Sequence, residues 1–442
     1  MKIHLIAIGG SAMHNMALAL HHKGYEVTGS DDAIFRPSKE RLDKHGLLPK
    51  KIGWFPEKIT SELDTIILGM HAREDNPELI KAKELEIPIF SYPEYIYEQS
   101  KNKKRVVIGG SHGKTSITAM ILHVLQNLNV NCDYMVGAQL EGFDTMVKLT
   151  HDASIIILEG DEYLSSPIDR RPKFHLYRAN IAVLSGIAWD HINVFPTFEM
   201  YVEQFRIFKN MVSDTLIYCS EDEELNNLAK EKSNCKLIPY STLNHTIKDG
   251  ISSVNNTELL IFGNHNLQNM NAALLVCKEL GISEEDFLKQ ISNFKGASKR
   301  LELVKKTQDS AIYKDFAHSP SKLKATSTAM KKQFTNRKLV ACMELHTFSS
   351  LNEEFLKQYK GSMDEPDTAI IYFNPKEIAH KKLNPITKEQ IYSAFERKDL
   401  LVYTDSEMLL NKLKSIKWKR KNLLMMSSGN FNNIDLSLIN QK

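Results

Sequence analysis

The stretch Val106-Val107-Ile108-Gly109-Gly110-Ser111-His112-Gly113-Lys114-Thr115-Ser116 limits what this chain can fold into more than any other. A β-branched run stops at two glycines. The apolar residues beyond it, Ile117, Met120, Ile121, Val124 and Leu125, recur at helical spacing. The pattern predicts a strand, a tight phosphate-binding loop and a helix. Glycines let backbone N–H groups converge on an anion where a Cβ would block them, and the helix N-terminus adds partial positive charge. Gly110, Ser111, His112, Gly113, Lys114, Thr115 and Ser116 are therefore candidates for holding ATP. Lys114 is placed to reach the β/γ-phosphates, and Thr115 to offer its hydroxyl to Mg²⁺. The full Walker A pattern wants a glycine where Ile108 stands, so the shorter Gly110-x-x-Gly113-Lys114-Thr115 carries the expectation.

Two further strands end in polar groups. Ser154 to Leu158 is a continuous apolar run, as in a sheet covered on both faces, and it leads into Glu159-Gly160-Asp161-Glu162. An acid at the end of a core strand beside a phosphate loop is where the second Mg²⁺ contact belongs, and Glu159 is nearest the strand end. Asp161 and Glu162 are alternatives, either as exposed loop acids or as metal ligands through water. Ile181 to Leu184 leads to Asp190-His191, where neutral imidazole beside a carboxylate can ligate a divalent ion. A helix is expected over 197–212. Near 264 another helix opens with His265, Asn266 and Asn269, which suit an adenine or a phosphate and equally suit N-capping.

Before the loop, Ile3 to Ile8 reads as a buried parallel strand that turns through Gly9-Gly10-Ser11 into a helix carrying Met13, Met16, Ala17 and Leu20. Glu26 to Ser30 is the next strand and ends at Asp31-Asp32. Such a βαβ unit places an acid where dinucleotide folds meet a ribose hydroxyl, but the glycine spacing is not G-x-G-x-x-G, so a diphosphate is expected at the helix start rather than a nicotinamide cofactor. Thr65 to Leu68 is followed by a polar loop with His71 and Arg73 as candidate ligand contacts. The basic run Lys101 to Arg105 reads as an exposed linker. Beyond about residue 297, strands at 311–316, 339–343, 368–373, 400–403 and 423–426 alternate with helices. His318 follows the first of them, and Ser427 to Phe431 forms a small-residue loop after the last.

At 442 residues, three domains are natural: 1–104 and 297–442 Rossmann-like, and 105–296 a central phosphate-loop domain with a mainly parallel sheet, giving an α/β fold. A net charge of +3 argues against a dedicated nucleic-acid partner. The N-terminal apolar run is too short and interrupted for a signal or transmembrane segment. Five cysteines with no C-x-x-C pair fit free thiols in a reducing cytoplasm.

With these residues in hand the chain resembles the Mur ligase family, the ATP-dependent amide-forming enzymes of peptidoglycan precursor synthesis. The resemblance rests on Gly110 to Thr115, Glu159-x-Asp161-Glu162, Asp190-His191, Gly263-x-His265-Asn266-x-x-Asn269, Lys299-Arg300 and Asp315-Phe316-Ala317-His318-Ser319-Pro320, in family order. Gly9-Gly10-Ser11-x-Met13 and Gly29-Ser30-Asp31 look like the branch that takes UDP-N-acetylmuramate. Ile168 to Phe174 looks like the branch that joins it to the tripeptide L-alanyl-γ-D-glutamyl-meso-diaminopimelate in peptidoglycan recycling, with the L-alanine-adding branch as the alternative. The resemblance implies an acyl phosphate intermediate. It also implies ATP contacts from His265, Asn266, Asn269, Arg300 and Asp315, and Mg²⁺ at Thr115, Glu159 and His191. Lys114, His191 and His318 would stand at the reaction centre. Gly9, Gly10, Ser11, Met13, Ser30, Asp31, His71 and Arg73 would hold the UDP-sugar, and closure of the third domain would complete the site. The expected partners are small-molecule substrates, with no nucleic acid or membrane, and the protein a monomer or weak homodimer. Arg206 stands where several members carry a carbamoylated lysine, and the loop Glu344 to Ser350 has no arginine where the alanine-adding branch has one. A folate polyglutamate ligase would share the phosphate-loop and third domains but lack the Gly9-Gly10 unit.

Overall fold

The computed structural model describes residues 1–70, 72–140, 142–166, 168–189, 194–296 and 300–439. The first sheet is formed by β1 (Lys2–Ile6), β2 (Glu26–Ser30), β3 (Thr65–Leu68) and β4 (Ile89–Ser91), all parallel in the order β2-β1-β3-β4. Every residue of β3 is buried, as in a strand covered on both faces. β1 ends two residues earlier than its apolar run because Ala7 takes a left-handed backbone (φ 67°), which turns the chain toward Gly9 and Gly10. Gly10 then caps the helix Ser11–His22.

The second sheet holds β5 (Lys104–Gly109), β6 (Cys132–Met135), β7 (Val147–Lys148), β8 (Ile155–Glu159), β9 (Ile181–Leu184), β10 (Thr215–Cys219) and β11 (Lys236–Tyr240). Their order is β11-β10-β9-β5-β8-β6-β7, with only β7 antiparallel to its neighbour. β5 lies between β8 and β9. The loops that leave these three strands therefore share the carboxyl edge of the sheet, where open α/β folds bind ligands. The helices Lys114–Asn127 and Phe198–Met211 follow β5 and β9, the second capped by the Thr197 hydroxyl.

The basic run at 101–105 is only in part the exposed linker its charge predicts: Lys101, Asn102 and Lys104 are exposed, but Lys103 and Arg105 turn inward. Arg105 is the second residue of β5 and is buried. Its guanidinium donates to the carbonyl oxygens of Ser100, Lys101, Lys103 and Arg178. The helix Tyr92–Ser100 ends there, and a cation satisfies its orphaned carbonyls. Lys103 turns inward to a 2.5 Å ion pair with Asp133, which is fully buried on β6 and also accepts from the Thr150 N–H and hydroxyl.

By packing, the chain gathers into two units, one of residues 1–242 and 268–291 and the other of 243–267 and 292 onward. The second unit contains a small antiparallel sheet, β12 (Thr246–Lys248), β13 (Ile251–Val254) and β14 (Thr257–Leu259). The sequence gives this stretch to the central domain, but it packs on the helix Pro320–Gln333, where Ser252 Oγ donates to Gln333 Oε1 (3.0 Å) and Gln333 Nε2 to the Gly250 carbonyl (2.9 Å). The main sheet of this unit is β15 (Glu302–Lys306), β16 (Ala311–Asp315), β17 (Lys338–Leu345), β18 (Thr368–Phe373), β19 (Leu401–Tyr403) and β20 (Lys421–Met426), in the order β15-β16-β20-β17-β18-β19. It is parallel apart from the β15–β16 pair. Along β17, Leu339, Ala341 and Met343 enter one hydrophobic core while Val340 and Cys342 enter the other, so both faces are covered. Among the described residues no helix is long and apolar enough to cross a membrane.

Candidate active site

The loop after β5 has the geometry its glycines foretell. Gly110 has φ 119°, and a Cβ there would meet the Ser185 backbone nitrogen at 2.7 Å. Gly113 has φ 79°, and a Cβ would press on the Asn269 side chain, with Cγ at 3.1 Å and Oδ1 closer still. Both positions take a backbone that only glycine adopts without strain, against neighbours that leave no room for a side chain. The loop is pinned from β9 by the Ser111 N–H on the Gly186 carbonyl (2.9 Å) and by the Ser185 hydroxyl on the His112 carbonyl. Lys114 and Thr115 follow at the N-terminus of a fourteen-residue helix, where the dipole favours anions.

Thr115 and Glu159 face each other. The Thr115 hydroxyl donates to Glu159 Oε1 at 2.8 Å, and the Gly137 N–H donates to Glu159 Oε2 at 2.8 Å. Burial pushes the Glu159 carboxyl upward, opposed by these two bonds and by the Lys114 ammonium. A hydroxyl and a carboxylate at one edge are a hard oxygen donor pair. They fit Mg²⁺, which takes one or two protein ligands and fills its octahedron with water and phosphate oxygens. The other two acids of the cluster are committed elsewhere. Asp161 is ion-paired to Lys173 at 2.6 Å; burial would raise its carboxyl, and the lysine outweighs this and holds it low. Glu162 is buried and ion-paired to Lys114 at 2.8 Å. Asp190 and His191 lie outside the described residues. Arg206 does not turn toward the loop: it is engaged by Glu203 and by Glu231 (3.0 Å) in a half-exposed ion cluster.

The first sheet places its own candidates at one edge. The Gly9 N–H donates to Asp31 Oδ2 at 2.6 Å, so this chain's own carboxylate occupies the amide that the sequence offers to a diphosphate. Burial raises the Asp31 carboxyl. Ser30 is fully buried and accepts from Lys58 Nζ (3.2 Å), Met13 is buried in the core, and Ser11 is exposed beside Gly10 at the helix start. A cleft of about 680 Å³ opens beyond β2 and β3, lined by Asp32, Trp54, Met70, Arg73 and Asp75. Arg73 thus faces a ligand-sized space; His71 lies outside the described residues.

In the second unit, Arg300, Asp315 and His265 come together. The Arg300 guanidinium lies 5.3 Å from the centre of the Phe316 ring. Burial lowers the His265 imidazole and Arg300 lowers it further, with Asp315 opposing. Asp315 is buried and accepts from the Leu301 N–H (2.8 Å) and Ala317 N–H (2.7 Å), fixing the turn that carries His318. His318 Nδ1 donates to the Phe316 carbonyl (2.7 Å), a tautomer assigned from its partner, which leaves Nε2 as an acceptor. Burial depresses its pKa and keeps it neutral at pH 7. Asn266 bonds back to the Phe262 carbonyl (2.9 Å), whereas Asn269, farther along the same helix, lies in the first unit against Gly113.

The sequence reading missed Tyr201. This tyrosine is fully buried on the helix after β9, and its hydroxyl bonds both Ser111 Oγ (3.0 Å) and Glu162 Oε1 (3.1 Å). It shares a helical apolar stripe with Phe205 and Phe208, and nothing local distinguishes it from core.

Known proteins share this fold. Residues 108–277 match the Mur ligase middle domain and residues 2–104 the Mur ligase family catalytic domain. The UDP-N-acetylmuramate–L-alanine ligase of Clostridium tetani is 30% identical over 456 residues, covering 98% of this chain and 91% of its own. That of Sulfurihydrogenibium sp. is 29% identical, covering 84% and 82%. Among solved structures, the UDP-N-acetylmuramate–alanine ligase of Thermotoga maritima superposes with a TM-score of 0.68 at 20% identity over 98% of this chain and 97% of its own. A murein peptide ligase from Psychrobacter arcticus gives 0.61 at 21% identity over 99% and 98%. At such identities the two structures speak for the fold alone. The chain belongs to the Mur ligase family and is an ATP-dependent ligase that forms amide bonds.

Proposed function

We propose that this ligase joins the tripeptide L-alanyl-γ-D-glutamyl-meso-diaminopimelate to the muramoyl carboxylate of UDP-N-acetylmuramate in peptidoglycan recycling. The observation that carries the chemistry is the convergence of Lys114, Thr115 and Glu159 on a loop whose Gly110 and Gly113 leave no room for a Cβ. In this reading the muramoyl carboxylate attacks the ATP γ-phosphorus, ADP leaves, and an acyl phosphate forms. The acceptor amine then attacks the acyl carbon, and phosphate departs from a tetrahedral intermediate. The Lys114 ammonium offsets charge that grows on the transferring phosphoryl oxygens. Thr115 and Glu159 would hold Mg²⁺, which neutralises phosphate charge when bound. His191 would hold a second ion. Asn269 borders the phosphate loop. Arg300, through its guanidinium, and His265 and Asn266 suit ATP, and Asp315 orders the turn behind them. Neutral His318, with Nε2 as an acceptor, suits a proton from the attacking amine. Arg73 lines a cleft that suits the UDP-sugar, and Asp31 and the Gly9-Gly10-Ser11 turn would contact the same ligand. A cytoplasmic location accords with five free thiols.

The acceptor is argued from the segment Ile168 to Phe174, which resembles the tripeptide-adding branch, and from a loop Glu344 to Ser350 without arginine. A second reading, L-alanine as acceptor, is favoured by the names of the curated relatives. Phosphate release from Mg²⁺ and ATP with UDP-N-acetylmuramate separates them: turnover is expected with the tripeptide and background with L-alanine. The reverse pattern overturns the proposal in favour of the second reading.

A further inference from the structure

The Lys114 ammonium does not simply wait for phosphate. It donates to the Gly110 carbonyl at 2.6 Å and to Glu162 Oε2 at 2.8 Å, so two of its three protons are directed within the chain. Glu162 is only 2% exposed, and its other oxygen accepts from the fully buried Tyr201 hydroxyl at 3.1 Å. A phenol has one proton. With that proton on the carboxylate, the 3.0 Å bond between Tyr201 and Ser111 is donated by Ser111, whose oxygen in turn accepts from the Ala188 N–H at 2.8 Å. The bonds therefore run one way, from Ala188 through Ser111 and Tyr201 to Glu162, and end on the counter-ion of the phosphate-loop lysine. Hydrogen bonds aligned in this sense polarise one another.

We propose that Glu162 and Tyr201 are positioning residues for Lys114: the carboxylate, oriented by the tyrosine, holds the ammonium at the phosphate loop and competes with the nucleotide for it. The inference rests on the reading of this loop as the ATP site and not on the identity of the acceptor. Two opposed effects follow. The buried negative charge weakens phosphate binding, because an incoming anion meets Glu162 and must draw the ammonium away from it. The same charge fixes where the ammonium stands, which matters when charge develops on the transferring phosphoryl group.

The test measures ATP dissociation constants by calorimetry without sugar or acceptor, and kcat by phosphate release with all substrates. Glu162→Gln keeps shape and removes charge; ATP binding is expected to tighten about 3- to 10-fold while kcat falls about 10-fold or more. Tyr201→Phe keeps the ring contacts with Phe195 and Phe205 and removes the hydroxyl. ATP affinity is expected to stay within about twofold and kcat to fall about 3- to 10-fold. Because both act through one ammonium, the double variant is expected to be no slower than Glu162→Gln alone. Glu162→Asp, which keeps the charge but draws it back by a methylene, serves if the glutamine variant does not fold; it is expected to lower kcat with ATP affinity unchanged. Weaker ATP binding in Glu162→Gln, an unchanged kcat in either single variant, or losses that multiply in the double variant would overturn the proposal. A wild type that does not bind ATP would instead sink the reading of the loop itself.

Discussion

Gly113 gives the sharpest test of the phosphate loop, because two separable costs meet there. Replacing it by alanine puts an L-residue at φ 79°, which costs roughly 1–2 kcal/mol. It also drives a methyl into Asn269, whose Cγ stands 3.1 Å from the new atom and which is only 8% exposed. Displacing that amide from its packed position adds about 1–3 kcal/mol. The loop relieves both by leaving the conformation that cradles phosphate, so about 2–5 kcal/mol is taken from ATP binding, or roughly 30- to 4,000-fold at 1.4 kcal/mol per tenfold. In the background of Asn269→Ala only the backbone cost remains, about 5- to 30-fold. Calorimetric ATP affinities for wild type, both single variants and the double therefore form a cycle with an expected coupling of about 1–3 kcal/mol. An additive cycle, within about 0.5 kcal/mol, would show that Gly113 is not small for the sake of Asn269. Full ATP affinity in Gly113→Ala would show that this backbone is not the one that binds.

Two further outcomes concern stability. Lys103→Met removes one member of a buried ion pair and leaves Asp133 uncompensated except for its bonds from Thr150; unfolding in urea is expected to lose about 3 kcal/mol, the low end for a broken buried pair, and an unchanged midpoint would refute the burial of that lysine. Glu78 is fully buried, and burial alone would raise its carboxyl, but the bonds from His4, the Phe55 N–H and Ser30 outweigh that and hold it below the ordinary 4.5. A depressed folded value means stability that is complete above about pH 4.5 and is lost as pH falls from there through the folded value, by at most about 1.4 kcal/mol per pH unit. Glu78→Gln should therefore be less stable than wild type at pH 7 and show a shallower fall below pH 4.5, and parallel curves for the two proteins would contradict the assignment.

What could be read beforehand, and what could not, divides along one physical line. The phosphate loop, Thr115 and Glu159 were legible because each sits where a β-branched run stops, and parallel topology brings strand ends to one edge whatever the tertiary detail. Charge and polarity, in contrast, do not say which way a side chain turns. Lys103 and Arg105 look like a solvated linker and are buried, because a helix end and Asp133 offer them carbonyls and a carboxylate. The short polar strands at 246–259 carry too little apolar periodicity to announce the helix they pack on. Glu162 is chemically indistinguishable from Glu159 three residues earlier, yet one faces Thr115 and the other Lys114. Tyr201 reads as one more aromatic of a core stripe until its hydroxyl is seen on Ser111 and Glu162. Local sequence thus specifies which backbone amides and which ammonium are presented at the edge of the sheet. The placement of that ammonium is set by residues 48 and 87 positions away from it, brought to it only by the order of the sheet.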